Sequence, residues 1–557
     1  MNSAAEKVDR LRRGENGSRL AWAVLAVAMV IATPLILYYG RDGWFSIDEA
    51  QWISDSPHLD LGGVLSPHVG HLVAIPRLVY KLMLETVGLD YFAYRLLTVL
   101  AILLCAGLFF SWAKRRLPDF VALAFTLPIL LFAYDPLHLI AGNGFTVMLA
   151  LSFGIAALLA WDRDDTRGDV ATFVFLVLGG LTYTVALPFS VAVFISALLQ
   201  RRWNRIWVGL VPIALYLAWR ALGNVGATDT AAGGGDLLNI LLLPAWSFGG
   251  ISGVLGSWSG LSFDFVRSGA VQPGTGIGPV LAAAALVALG WRIATRGADF
   301  RLWTVIAVAL ALFAAQTLAV GGIERYPEMP RYLYPGLIVV MLVVVEALRG
   351  FAWSRATFVA LWLITAISLL TSFSLLRQQS EGREWKAEQT RIEVTAVSLL
   401  ADTPSPPPVS RQPRRMVTDD FDPKTAGDYG DLGYDPATLS DRPVEIGNGV
   451  DRFLYESLKP GLQATTVPFV KADCEPLKAI NGRYRISLPR NGAVITSTRE
   501  AKLTIGRFGS GRSLKIGTVT PNSPQLLKLR YDGEPTPWFI KSKTPGVSAC
   551  PFDSGDL

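Results

Sequence analysis

Charge is scarce in this chain. Asp, Glu, Lys and Arg make up 17% of its 557 residues, against about a quarter in soluble domains. Half of the residues are hydrophobic (51%) and the mean hydropathy is positive, at +0.38. This balance excludes an ordinary soluble protein. There is no P-loop, no G-x-G-x-x-G after a strand, no C-x-x-C and no fixed-period repeat, so the glycine-rich loops that cradle nucleotide phosphates are missing. The net charge of +6 is small for the length and gives no support for nucleic-acid binding. At this length the chain exceeds one compact domain.

Long apolar runs are what the sequence has instead. About 20 apolar residues cross a bilayer. Runs of that kind lie near 20–39, 93–112, 119–134, 144–161, 170–182, 186–199, 206–221, 278–291, 302–320, 332–349 and 356–376. The first follows Lys7, Arg10, Arg12 and Arg13 as a signal peptide would, but it has no small-residue cleavage site and reads as a retained span. Pro188 and the polar Thr182-Tyr183-Thr184 divide 170–199 into two spans rather than one.

The charges test this count independently. Lys114-Arg115-Arg116, Arg163 with Arg167, Arg201-Arg202 with Arg205, Arg292–Arg301 and Arg349 with Arg355 fall on one face of an eleven-span arrangement, as cytoplasmic loops require. A single span over 170–199 would put the later clusters on the opposite face. The organisation expected is a cytoplasmic segment 1–19, a transmembrane domain 20–376 with a long first outer loop 40–92, a helical stem and Pro-rich linker 377–415, and an extracytoplasmic, mainly β domain 416–557.

The stem carries Ile392, Ala396, Leu399 and Leu400 as a helical apolar stripe. In the tail, Tyr484–Leu488, Ala493–Thr498, Ala501–Ile505, Leu514–Val519 and Leu526–Tyr531 alternate between turn residues, the pattern of a β sandwich or barrel. Cys105 lies in a span and reads as a packing residue. Cys474 and Cys550 both fall in the exported domain, where oxidising conditions favour a disulfide.

Candidate chemistry gathers in the first outer loop. Asp48 and Glu49 follow the first span by about one helical turn, and carboxylates kept beside hydrocarbon are mostly functional. A carboxylate there can take a proton from a sugar hydroxyl. Ser46 with Glu49 also fits a capping box, which competes for Glu49. His68 and His71, with His58 and Asp60 upstream, suit either substrate contact or a divalent ion. No fourth ligand has a recognised spacing, so no metal is assigned. In the amphipathic run Pro76–Glu85, Arg77, Lys81 and Glu85 share one side. The two cations either reach lipid phosphate or snorkel as anchors. A late outer loop, Gly321–Tyr334, holds Glu324, Arg325, Glu328 and Arg331, suited to a phosphate or to salt bridges within the loop. Asp135, His138 and Asn143 occupy another short outer loop.

Together these residues resemble the GT-C superfamily of integral-membrane glycosyltransferases, which includes protein mannosyltransferases, lipid A aminoarabinose transferases and cell-wall arabinofuranosyltransferases. The resemblance covers roughly 20–376. It rests on the acidic pair in Ile47-Asp48-Glu49-Ala50, the arginine opening the second span in Tyr94-Arg95-Leu96-Leu97, and Arg331-Tyr332 entering a late span. Asp-Glu departs from the commoner Asp-Asp or lone Asp. The resemblance implies a polyprenyl-phosphate sugar donor, a glycan, lipid or protein acceptor of the cell envelope, and transfer at the outer face of the cell membrane. Asp48 would be the base, with inversion at the anomeric carbon. Arg325 and Arg331, with Arg77 or Lys81, would hold the departing lipid phosphate. The β domain would engage an extended glycan. Rival readings are a lipid-linked glycan polymerase or ligase, a polytopic transporter, and an envelope scaffold. A transporter would place ionisable residues near mid-bilayer, whereas these spans are nearly free of them.

The charge pattern makes a topological prediction. A reporter active only in the cytoplasm, fused after Leu557, is expected to be silent; strong signal would overturn the eleven-span arrangement.

Overall fold

The computed structural model describes residues 15–45, 47–223, 237–265, 271–273, 276–320, 326–401, 422, 430–480, 482–511, 514–529 and 534–552. Ser46, Arg325 and the linker at 403–415 lie outside them. The chain divides into two compact units. Met1–Gly43, His58–Met83 and Asp90–Arg383 form the first; Trp44–Pro57, Leu84–Leu89 and Glu384–Leu557 form the second.

The first unit is helical. Eight helices among the described residues are long and apolar enough to cross a membrane: Gly17–Tyr39, Tyr91–Ala113, Gly142–Trp161, Leu238–Ser259, Gly278–Arg296, Phe300–Leu318, Pro330–Ala347 and Arg355–Ala401. Shorter apolar helices lie at Asp119–Leu131, Thr184–Leu199 and Trp207–Leu222, and Thr166–Thr182 is a further helix. The protein is therefore a polytopic helical membrane protein. Two helices do occupy 170–199, broken at Tyr183 as its polar neighbours require.

One expectation is corrected. The segment 223–275, read as an outer loop throughout, contains the apolar helix Leu243–Ser259. The segment it ends, Leu238–Ser259, is as apolar as Gly278–Arg296, and its Ser and Gly content lets it pack closely. A Cβ at Gly250 would meet Phe313 at 2.5 Å and Pro327 at 3.1 Å, and one at Gly253 would meet Leu333 at 3.0 Å. Small residues let backbones approach closely where lipid removes the usual hydrophobic drive.

At one end of the bundle Arg116 lies 3.8 Å above the Trp112 ring and pairs with both Asp162, at 3.0 Å, and Glu346. A cation removed from water is costly until it is paired, and Glu346 is shared with Arg349 at 3.4 Å.

The second unit combines the helix Asp48–Asp55 with the stem and the tail. The stem continues the last span without a break, as the 47-residue helix Arg355–Ala401. Its stripe of Ile392, Ala396, Leu399 and Leu400 enters the tail's core, as the spacing implied. That core lies between two antiparallel sheets. One has the order β3 (Leu462–Ala464), β10 (Gln525–Lys528), β7 (Gly492–Ser497), β12 (Val547–Cys550), β4 (Glu475–Pro476). The other has the order β5 (Lys478–Ile480), β6 (Arg483–Ser487), β11 (Phe539–Ser542), β8 (Ala501–Gly506), β9 (Leu514–Val519). Cys474 and Cys550 form a disulfide across 76 positions.

The tail is not all β. The helix Val444–Leu458 sends Ile446, Val450, Phe453 and Leu454 into the same core. From it the buried Asp451 accepts the backbone N–H groups of Arg507, Phe508 and Gly509, each at 2.9 Å. Burial pushes this carboxyl up from its ordinary range, against the three donors that favour its ionised form. Asp451→Ala would orphan three backbone donors and is expected to destabilise the tail by about 2–4 kcal/mol. Urea-dependent proteolysis of the purified protein measures this; an unchanged midpoint would show that the latch carries no stability.

Candidate functional site

The acidic pair opens the helix Asp48–Asp55, which the second unit holds tightly. Ala50, Gln51, Trp52, Ile53 and Ser54 are buried along it. The strand of chain before it is anchored by Trp44, whose Nε1 donates to Leu432 O at 2.8 Å under the guanidinium of Arg391 at 4.4 Å. The two acids differ sharply. Glu49 is wholly buried, while Asp48 is half-exposed. Both sit in the first helical turn, where unsatisfied N–H groups favour negative charge.

The residue at the cap is Ile47, at φ 44 and ψ −103, with no side-chain cap bond. A β-branched residue there is a genuine outlier, costing on the order of 1–3 kcal/mol. The capping box expected from Ser46 lies outside the described residues. A second strained position follows in the same loop. Val69 and Gly70 have φ 47 and φ 79, and His68 and His71 exchange both backbone hydrogen bonds at 2.9 Å around them. This is a two-residue hairpin of the kind whose central residues both need positive φ. It fixes the two histidines opposite each other.

In the first unit, His71 is committed to the helix break at Tyr183-Thr184. Its Nδ1 lies 2.7 Å from Thr184 Oγ1 and its ring is 4.7 Å from that of Tyr183. Asp60 is a cap rather than a ligand, accepting Gly63 N at 2.6 Å at the start of Leu61–Leu65. Among the described residues, no three His, Cys, Asp or Glu side chains form a metal-holding group.

Arg77 departs from the sequence expectation. It is 4% exposed, and its Nη1 donates to Ser66 O at 2.7 Å, to Gly63 O and to Ser66 Oγ. The guanidinium thus closes the C-terminal end of Leu61–Leu65, which otherwise leaves carbonyls unpaired. Leu78 and Leu82 occupy the exposed side of the same helix, so the amphipathic run turns its apolar residues outward and its first cation inward. Lys81 is half-exposed and makes no ion pair among the described residues.

Arg331 and Tyr332 open the helix Pro330–Ala347, with the guanidinium 5.1 Å from the Tyr332 ring. Beside that helix lies the short helix Pro136–Ile140. Its cap, Asp135, is fully buried and holds His138 Nδ1 at 2.6 Å. The contact ties one ring nitrogen of His138 to a buried carboxylate. The stem's Arg383 donates to Pro136 O at 3.0 Å. Sequence reasoning noticed Asp135 and His138 but had no signal for their pairing, because a D-x-x-H spacing is common and only burial makes it informative.

The contrast between two neighbouring cations is testable. Arg77→Ala is expected to lower stability by about 2–4 kcal/mol, because three acceptors lose a charged donor. Lys81→Ala is expected to stay within about 0.5 kcal/mol of the parent. Thermal unfolding in one detergent compares them; equal losses would mean that Arg77 is no latch.

No family model matches the chain, and no curated protein matches it. Among solved structures it is similar to the archaeal oligosaccharyltransferase AglB from Archaeoglobus fulgidus in complex with an inhibitory peptide and a dolichol-phosphate. The identity is 11% and the TM-score 0.40, over 70% of this chain and 59% of that one. The chain thus matches less than two thirds of that protein's length, and a likeness of this size settles neither family nor activity.

Proposed function

We propose that this protein is an integral-membrane glycosyltransferase of the GT-C type. It moves a sugar from a polyprenyl-phosphate donor to a cell-envelope acceptor on the extracytoplasmic face. The observation that carries the reading is Asp48: a half-exposed carboxylate held by a buried helix, directly after a β-branched residue forced into positive φ. Strain of that kind persists where the surrounding fold enforces it, and it clusters at functional sites.

The chemistry follows from the residues. Asp48 takes the proton of an acceptor hydroxyl while that oxygen bonds to the anomeric carbon. The bond from that carbon to the phosphate oxygen breaks on the opposite face, and the electron pair leaves with the lipid phosphate. Configuration inverts. Cations facing the phosphate lower the barrier by stabilising the charge that develops on it. Arg331 and Lys81 are assigned this role, together with Arg325. His68 and His71, fixed by their hairpin, are assigned to sugar contact. Glu49, being wholly buried, supports Asp48 rather than meeting substrate, and Arg77 acts by holding the loop. Tyr332 packs beside the Arg331 guanidinium and orients it.

The sidedness is part of the proposal. Arg201–Arg205 and Arg292–Arg301 share the cytoplasmic face only if an even number of crossings separates them. Trp207–Leu222 and Gly278–Arg296 supply two, so Leu243–Ser259 enters and leaves on the outer side.

Transfer from radiolabelled polyprenyl-phosphate sugars tests the reading. Asp48→Asn keeps the size of the side chain but cannot accept a proton. It is expected to lose about 10²–10⁴-fold in turnover with donor affinity nearly unchanged. Arg331→Ala is expected to weaken donor affinity as well as turnover. Near-normal turnover of Asp48→Asn would remove the base from this position.

A further inference from the structure

The two sheets of the tail are very different electrically. The strands β3, β10, β7, β12 and β4 carry one acid, Glu475, and one base, Lys528. The strands β5, β6, β11, β8 and β9 carry Lys478, Arg483, Arg485, Lys541, Lys502 and Lys515, and no Asp or Glu. Alternation decides which way they point. Ile486, Ile540, Leu503, Ile505, Leu514 and Ile516 of these strands enter the core, so the basic residues between them occupy the opposite face.

Register then places them in a row. Lys478 pairs with Arg485, Arg485 with Lys541, Lys541 with Thr504, and Thr504 with Lys515. Five strands about 4.8 Å apart make this row about 19 Å long. Lys541 is tied to Ser510 O at 2.7 Å, and Arg485 lies flat on Phe539, 3.6 Å from the ring. Among the described residues Lys478, Arg483, Arg485, Lys502 and Lys515 make no ion pair. Like charges directly opposite each other on a sheet destabilise it. A fold that needed this face only as solvent-facing surface would intersperse acids.

The other sheet gives the contrast. Its outer face is covered by Val467, Phe469, Cys474 and Phe552, packed on Val494, Leu526 and Cys550.

We infer that the basic face of the second sheet binds an acidic glycan, an extended polymer bearing carboxylate or phosphate groups. Charge complementarity selects a polyanion. An anionic membrane surface is disfavoured because interfacial binding also needs apolar side chains to insert. On this face Phe539 is 1% exposed beneath Arg485, and Ile480 at one corner is the exposed large hydrophobic. Thr504 and Ser487 add hydroxyls suited to sugar oxygens. The binding stands on the tail alone. That the polymer serves as acceptor rests on the transferase reading.

The test uses the full chain in detergent, with fluorescent polygalacturonate as the acidic polymer and dextran as the neutral one. The parent is expected to bind polygalacturonate in a salt-sensitive way and to ignore dextran. Lys478→Glu with Lys515→Glu is expected to weaken binding by about tenfold or more. Lys471→Glu with Lys528→Glu makes the same change in net charge elsewhere on the tail and is expected to leave binding near the parent's. Equal losses in both pairs, no loss in either, or failure of the parent to bind polygalacturonate would overturn the inference. So would preferential binding to phosphatidylglycerol vesicles. Sugar transfer to a short neutral acceptor, run in parallel, separates the two claims. If the parent transfers nothing, the transferase reading fails while the polymer result stands.

Discussion

The first outer loop depends on how the first span ends, and Arg95 ends it. Its Nη2 donates to Ile36 O at 3.2 Å and to Leu37 O. Both lie in the last turn, where a helix runs short of donors; Ile36 O also accepts Gly40 N at 3.1 Å. The guanidinium lies so close that a Cβ at Gly40 would sit 2.7 Å from Nη2. A side chain at that position would require the guanidinium to shift. One arginine thus satisfies the end of one helix from the start of the next. The nearby Tyr91 hydroxyl accepts Gly142 N at 3.0 Å, and Thr98 Oγ1 accepts Phe145 N at 3.0 Å. These ends of three helices are set by side-chain bonds to backbone groups rather than by packing alone.

Buried carboxylates are used in three distinct ways. Glu346 neutralises a cation between helices, so its role ends with the fold. Asp451 accepts three backbone donors and fixes the loop on which Phe539 is covered, since Gly511 of that loop could carry no Cβ without meeting the ring at 2.7 Å. Asp135 holds the imidazole of His138, a side chain rather than a backbone group or a fixed cation. Burial alone does not separate these cases; the partner does.

The sequence made the membrane class, the split of 170–199 and the tail strands legible, because each rests on a period or a charge bias that a bilayer or a pleat imposes. The helix Leu243–Ser259 escaped although the segment it ends, Leu238–Ser259, is as apolar as Gly278–Arg296: its recurring Gly and Ser read as loop residues. Val444–Leu458 escaped for a different reason. Its Ile446, Val450, Phe453 and Leu454 have helical spacing, but Asn448-Gly449 interrupts them like a turn. Asp48 and the His68–His71 pair stand out in the sequence by their place in the loop. The inward turn of Arg77 does not: its partners Gly63 and Ser66 are backbone and hydroxyl oxygens, to which a charge-pairing argument is blind.

Strain and position together explain why the acidic pair is not simply a solvated turn. A helix start needs an acceptor for its first N–H groups, and Ser, Thr, Asp or Asn at the cap supplies one at little cost. Ile47 carries no side-chain acceptor and adds backbone strain. It persists because the remainder of the helix is locked, with Trp52 and Ile53 buried and Gln51 Nε2 bonded to Asp55 Oδ1 at 2.9 Å. The buried remainder of the helix, not its cap, holds the position of Asp48. On the proposed reading this matters because general-base catalysis depends on one direction being held within hydrogen-bond reach of the acceptor proton.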